Sequence, residues 1–180
     1  MEIRESTEAD FKGLLAVGRQ AFGDEEGPEI VELVQWLMVD TTAEPRLSMV
    51  AVKGRRIVGH ILFTRAKIKA NEQIKTACLA PLAVAVDYQN RGIGRRLVEE
   101  GLRLLKERGV ELVFVLGHPT YYPRCGFKPA GPFGFATPYP IAEKDADAWM
   151  VCELQPGLLG VVKGRVLFAD TLHNPKYWSN

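Results

Sequence analysis

The sequence predicts an α/β (α+β) domain: a mixed sheet flanked by helices. Three observations carry that expectation. A strand, a glycine turn, a helix and a second strand follow one another between "ACLAPLAVAV" and "VELVFVLG". Two apolar runs hinge on "KGRR", and 47% of the 180 residues are hydrophobic. That length and composition suit one substantial core and are short for two, so a single domain spanning 1–180 is expected. A net charge of +1 gives no whole-molecule attraction to nucleic acid or membrane. No run approaches the ~18 apolar residues of a membrane span, and the charged N-terminus has no leader pattern. A cytoplasmic protein with neither nucleic-acid nor membrane partners is expected.

Each element has its own signal. Ile3 marks a short first strand. Thr7 and Asp10 offer capping side chains ahead of Phe11, Leu14, Leu15, Val17 and Phe22, which share one helical face. Pro28 opens a second helical pattern through Ile30, Val31, Leu33, Val34 and Leu37, with the acidic loop "GDEEG" between the two helices. "LSMVAVKGRRIVGHILF" reads as a hairpin turning at Lys53-Gly54. Pro81 interrupts the next apolar strand and predicts a bulge or an unpaired side, because proline cannot donate to a ladder. Ile93, Leu97, Val98, Leu102, Leu104 and Leu105 follow helical spacing, closed by Arg108 and Gly109. "VELVFVLG" fits a buried parallel strand. The Pro- and Gly-rich "KPAGPFGFATPYPIAEKD" reads as loop or edge. "AWMVCEL" and "GRVLFA" read as strands, and the tail "HNPKYWSN" has no clear pattern.

Cys78, Cys125 and Cys152 make an odd set with no C-x-x-C pair, which argues against a disulfide scaffold or a zinc site. No metal is expected. Cys125 in "YPRCGF" has basic neighbours, but a packing role beside a turn glycine outweighs a nucleophilic one.

The richest stretch is "DYQNRGIGRRL", residues 87 to 97. A helix N-terminus carries the positive end of the backbone dipole, so Arg95 and Arg96 belong there only if an anion faces them. A glycine turn running into a helix presents free N–H groups that bind phosphate. A Walker loop would need Gly-Lys-Ser/Thr where Gly94-Arg95-Arg96 stands. A dinucleotide fold would need glycine where Leu97 stands, although Glu111 lies at a ribose-contact distance along the chain. A plain tight turn would account for Gly92 and Gly94 but not for the cations beside them.

Gln89-x-x-Gly92-x-Gly94 after "LAVAV" resembles the signature of the GNAT superfamily of acyl-CoA-dependent N-acyltransferases. "YYPRCGF" is similar to that superfamily's aromatic-Tyr-x-x-x-Gly-Phe element, with Tyr121 and Tyr122 in the aromatic and tyrosine places. The two motifs stand in the right order, and the similarity covers about residues 47–130. The later "VCELQPG" resembles the YhbS-like branch.

The resemblance implies a GNAT-type mixed sheet splayed at the Pro81 bulge to admit a pantetheine arm. It implies acetyl-CoA as co-substrate and direct acetyl transfer to a primary amine on a small molecule or peptide. Homodimers are common in such folds. Leu82, Ala83 and Val84 would meet the arm through their backbones, and the Val84 N–H would act as oxyanion donor. Gln89, Asn90, Arg91, Gly92, Ile93, Gly94 and Arg95 would hold the pyrophosphate, with Arg96 adding charge. Tyr122 would give a hydrogen bond or a proton to the departing thiolate. An amine of pKa ~10.4 must also lose a proton first. His118 and Glu26 are the candidate bases, with Glu25 and His60 as further groups to place. Many members carry an asparagine after the strand "VFVLG"; here Gly117, His118 and Pro119 follow, opening a role for His118 or Thr120. Two rivals remain: a non-catalytic acyl-CoA-binding module on the same scaffold, and a dinucleotide-binding oxidoreductase.

Overall fold

The structure, a computed structural model, describes residues 1–178; Ser179 and Asn180 of the unpatterned tail lie outside the described residues. The expected hairpin is formed by β2 (Leu47–Lys53) and β3 (Arg56–Ile68), with Gly54 in the left-handed region at φ 62°. β1 (Glu2–Glu5) pairs antiparallel with β2, and β4 (Thr76–Val84) pairs antiparallel with β3. β5 (Leu112–Leu116) lies parallel to β4, as the crossover through α2 (Ile93–Glu107) requires.

The sheet extends in the order β1-β2-β3-β4-β5-β8-β6, where β6 is Lys128–Pro129 and β8 is Trp149–Glu153. β9 (Gly164–Leu167) pairs with the far end of β3 and with the two-residue β7 (Phe135–Ala136). This is the mixed sheet of the sequence reading, mostly antiparallel. The Pro- and Gly-rich stretch contributes only two-residue strands, because a chain so short of N–H donors and so rich in turn residues cannot sustain a ladder.

The expected pair of helices is one element, α1 (Phe11–Leu37), bent sharply at Gly23, whose φ of 79° and ψ of −175° are not helical. The two arms fold back on each other. Ile30 lies against Gly18, and Gly27 is packed so closely on the Arg19 carbonyl that a Cβ would overlap it. The predicted acidic loop is therefore absent: Asp24, Glu25 and Glu26 form the first turn of the second arm, where carboxylates offset the dipole. Ahead of the first arm, Asp10 accepts from the Thr7 N–H at 2.7 Å and from Arg4 at 2.7 Å. The Arg4 hydrogen bond, outweighing burial, holds the Asp10 carboxyl down at about 2.

α2 covers one face of the sheet through Ile93, Leu97, Val98, Leu102 and Leu105, packed on Met49, Ile61, Phe63, Leu79 and Val115. On the opposite face, Leu33 and Leu37 of α1 join Leu62, Cys78, Phe114, Trp149, Phe168, Leu172 and Trp178. Gly101 sets the distance between α2 and the sheet, because a Cβ there would enter the Phe63 ring. Gly101→Ala is accordingly expected to lower stability by about 1–3 kcal/mol by overpacking, despite alanine's better helix propensity. Urea denaturation measures it; an unchanged or higher midpoint would show that the helix can lift without cost.

Candidate functional site

Opposite Leu62 of β3, β4 carries two residues, Ala80 and Pro81, since the register passes from Phe63↔Leu79 to Ile61↔Leu82. That is the bulge Pro81 foretold. On the other side, the parallel ladder to β5 ends at Cys78↔Phe114, although β4 continues to Val84. Beyond this point the strands part, and a cleft of about 880 Å³ opens between them. Its walls include Leu79 to Leu82 and Val84 of β4, and Val115 to His118 at the end of β5.

The backbone at Val84 faces this gap. Ala85 donates to the Val58 carbonyl at 2.9 Å, which makes Val84 and Gly59 a non-hydrogen-bonded pair. Both main-chain groups of Val84 therefore point away from β3. Its carbonyl accepts from the Gln89 side-chain amide at 2.9 Å, leaving the N–H toward the cleft. By the same alternation Ala83 spends its N–H and carbonyl on His60, and its side chain is buried on the other side.

The turn into α2 supplies a second set of donors. Asn90 (φ 62°) and Gly92 (φ 81°) are left-handed, which gathers successive N–H groups on one side of the chain. The N–H groups of Asn90, Arg91, Gly92, Ile93, Gly94 and Arg95 have no acceptor among the described residues; the ladder begins with Arg96 N–H to Gly92 carbonyl at 3.1 Å. Arg95 bonds Glu99 one turn on at 2.8 Å, so its charge is partly offset within its own helix. Arg91 lies over the Tyr88 ring at 5.4 Å, and Arg96 is exposed.

The aromatic pair closes the α2 side. Tyr121 meets Tyr122 edge-on at 5.1 Å, and Tyr122 meets Phe127 at 5.6 Å. The Tyr121 hydroxyl sits where a Gly94 side chain would be, and the Tyr122 ring sits 2.5 Å from where a Gly117 Cβ would be. Glycine at these two positions is what lets the tyrosines stand beside the turn and the end of β5. Both rings line the cleft; Tyr122 is buried, and burial raises its hydroxyl pKa well above the ordinary tyrosine value. Burial also raises the Cys125 thiol, which favours its packing role over a thiolate.

The far end of the cleft is formed by residues the sequence did not assign to the site: Phe22, Ile30 and Leu33, expected only as helix-face residues of α1, and Leu172, Tyr177 and Trp178 of the tail. An aromatic pair in an otherwise polar "HNPKYWSN" was the available signal. This tail is strapped down. Asp40 accepts from Thr171 N–H at 3.0 Å and Thr171 hydroxyl at 2.7 Å, and from Thr42 N–H at 2.8 Å. Burial disfavours the Asp40 carboxylate, but these threonine bonds outweigh it and hold the carboxyl at about 2.

Of the expected residues, Leu82, Val84, Gln89, Asn90, Gly92, Ile93, Gly94, Arg95, His118 and Tyr122 line the cleft together. Ala83, Arg91 and Glu26 do not; Glu26 is exposed on the second arm of α1. His60 faces neither cleft nor solvent: it is buried, bonded to Ser48 at 3.0 Å, and burial lowers it to about 4.

Residues 2–130 match the Acetyltransferase (GNAT) domain family. The chain belongs to the GNAT acetyltransferase family. It is 43% identical to the N-acetyltransferase YjhQ of Escherichia coli K12 over 148 residues, covering 81% of this chain and 80% of that one. It is 32% identical to the N-acetyltransferase YhbS of the same organism, covering 94% of this chain and 97% of that one. Among solved structures, E. coli YhbS in complex with CoA superposes with a TM-score of 0.85 at 29% identity, over 96% of this chain and 92% of that one. A Brucella melitensis GNAT protein in complex with acetyl-CoA superposes at 0.69, with 26% identity over 94% and 96% of the two chains. The GNAT fold of the sequence reading, splayed sheet included, is the fold observed, and the YhbS likeness extends along nearly the whole chain. Among the described residues, no cluster of side chains suits a metal, and no helix is long and apolar enough to cross a membrane.

The strap in this GNAT domain has a pH signature. The folded Asp40 pKa is depressed, so its contribution is present above the ordinary carboxyl value near ~3.9 and fades as pH falls toward about 2. Asp40→Ala should cost about 1–3 kcal/mol at neutral pH and raise amide exchange across residues 169–178, with the difference from wild type shrinking in acid. Equal exchange in the two proteins would show that the tail is held otherwise.

Proposed function

We propose that the protein transfers the acetyl group of acetyl-CoA directly to a primary amine. The observation that carries this reading is the run of unpartnered N–H groups from Asn90 to Arg95, placed at the mouth of a split sheet whose wall offers the free Val84 N–H. Phosphate oxygens fit such a nest, and Arg95 and Arg124 also line the cleft. Among the described residues no aspartate or glutamate lines it to repel them.

In this reading Asn90, Gly92, Ile93, Gly94 and Arg95 hold the pyrophosphate, and Gln89 holds the end of β4 against the turn. Leu82 and Val84 have the non-hydrogen-bonded register that lets their backbones meet the pantetheine arm. The Val84 N–H donates to the thioester oxygen as negative charge develops there, in a wall that shields it from water. Tyr122, protonated throughout the neutral range because burial raises its pKa, donates a hydrogen bond to the departing thiolate. Full proton transfer from so weak an acid would be uphill, so the hydrogen bond is the assigned role. In this reading His118, which lines the cleft while Glu26 does not, takes the amine proton, directly or through water. The protein works in the cytoplasm, where acetyl-CoA and free amines meet.

Tyr122→Phe should reduce kcat by about 100-fold with the CoA dissociation constant unchanged, read by thiol release and by calorimetry. An unchanged kcat would remove Tyr122 from the thiolate role, and no turnover by the wild-type protein with any of a panel of amines would return the site to the non-catalytic module. Arg95→Ala should weaken CoA binding by about tenfold, while Arg91→Ala, whose side chain lies over Tyr88 and is absent from the lining, should change it less than about twofold. The reverse order would move the phosphates off the helix terminus.

A further inference from the structure

We propose that the acceptor is a small apolar or aromatic primary amine with no second positive charge; the inference rests on the acetyl-transfer reading above. The cleft runs through the split sheet from the α2 face to the α1 face, and its two ends differ in chemistry. Formal charge in its lining comes from Arg95 and Arg124, on the α2 side. The opposite end is walled by Phe22, Ile30, Leu33, Leu172, Tyr177 and Trp178.

No carboxylate among the described residues lines either end. A polyamine or aminoglycoside would have to bring further ammonium groups into this wall and strip their water with no carboxylate in the lining to meet them; Glu29 and Glu32 act on Tyr177 from outside the lining, and Glu29 is shared with Lys176. The acidic residues of "GDEEG" do not supply the partner: Asp24, Glu25 and Glu26 are exposed outside the lining, and Glu29, beyond that stretch, faces Lys176 at 3.9 Å. The wall is also fixed in shape. The Trp178 indole N–H is spent on the Leu172 carbonyl at 2.9 Å, and its ring stacks on Phe168 at 5.2 Å and meets Trp149 edge-on at 6.0 Å. A ring or branched chain of the acceptor therefore finds a preformed apolar surface.

The same surface helps the chemistry. Desolvation lowers the pKa of a bound ammonium, which supplies neutral amine in a cleft whose lining offers an imidazole, His118, but no carboxylate base. The ammonium gives one proton to His118 or water, the neutral nitrogen forms the C–N bond, the C–S bond breaks, and the second proton of the nitrogen passes to the departing sulfur, giving the CoA thiol and the N-acetyl product.

The test measures kcat/KM of the full chain with saturating acetyl-CoA for 2-phenylethylamine and tryptamine against spermidine and kanamycin. The aromatic amines should lead by about 100-fold. Polycations equal to or better than the aromatic amines, or no turnover of either aromatic amine, would overturn the proposal. Calorimetry with CoA alone separates the two levels: no heat defeats the transfer reading itself, whereas CoA binding with polycation-only turnover defeats this inference and leaves that reading standing. Phe22→Glu and Tyr177→Glu, at half-buried positions on different segments, should each raise KM for tryptamine about tenfold and narrow the gap to spermidine. Unchanged selectivity in the variant that keeps the wild-type melting profile would overturn the assignment of this wall.

Discussion

The site depends on a ladder that stops. β4 and β5 are bonded only from Thr76↔Leu112 to Cys78↔Phe114, and then the extra residue at Ala80-Pro81 bends β4 away. A continuous parallel pair would bury these backbone groups in hydrogen bonds and leave no gap. The bulge instead leaves the Val84 N–H turned toward an open slot and lets the turn after β4 deliver α2 by its N-terminus. Strand splay, free backbone groups and helix polarity thus have one structural origin.

Close packing around glycine refines that arrangement. Where the tyrosines approach Gly94 and Gly117, and where Phe63 approaches Gly101, absent side chains set distances that larger residues would forbid. The aromatic pair is consequently held beside the turn by shape, since neither hydroxyl has a hydrogen-bond partner among the described residues. The Asp40 carboxylate secures the opposite end through threonines that are distant in sequence, joining the end of α1 to the tail. One end of the cleft rests on backbone geometry, and the other on side chains brought together by folding.

The electrostatics follow the same division. Free N–H groups and arginines collect on the α2 side, and apolar rings on the α1 side. A polyanionic co-substrate and an apolar acceptor can meet in such a cleft without sharing a wall, each desolvated by the surface that suits it.

The sequence by itself determined the local parts: the Gly54 hairpin, the Pro81 bulge, the glycine turn into α2 and the tyrosine element. Their signals lie within a few residues of one another and act through backbone φ, missing donors or periodicity. It misread Asp24 to Glu26 as a loop, because a helix can restart directly after one left-handed glycine with acids in its first turn. His60 was ambiguous for a related reason: alternation gives two faces without saying which is covered, and Ser48 with the neighbouring strands covers it. Tertiary structure alone decided that Ala83 turns inward and that Tyr177 and Trp178 return to line the cleft. Those outcomes depend on strand register and on contacts between segments more than a hundred residues apart, which no short-range pattern encodes.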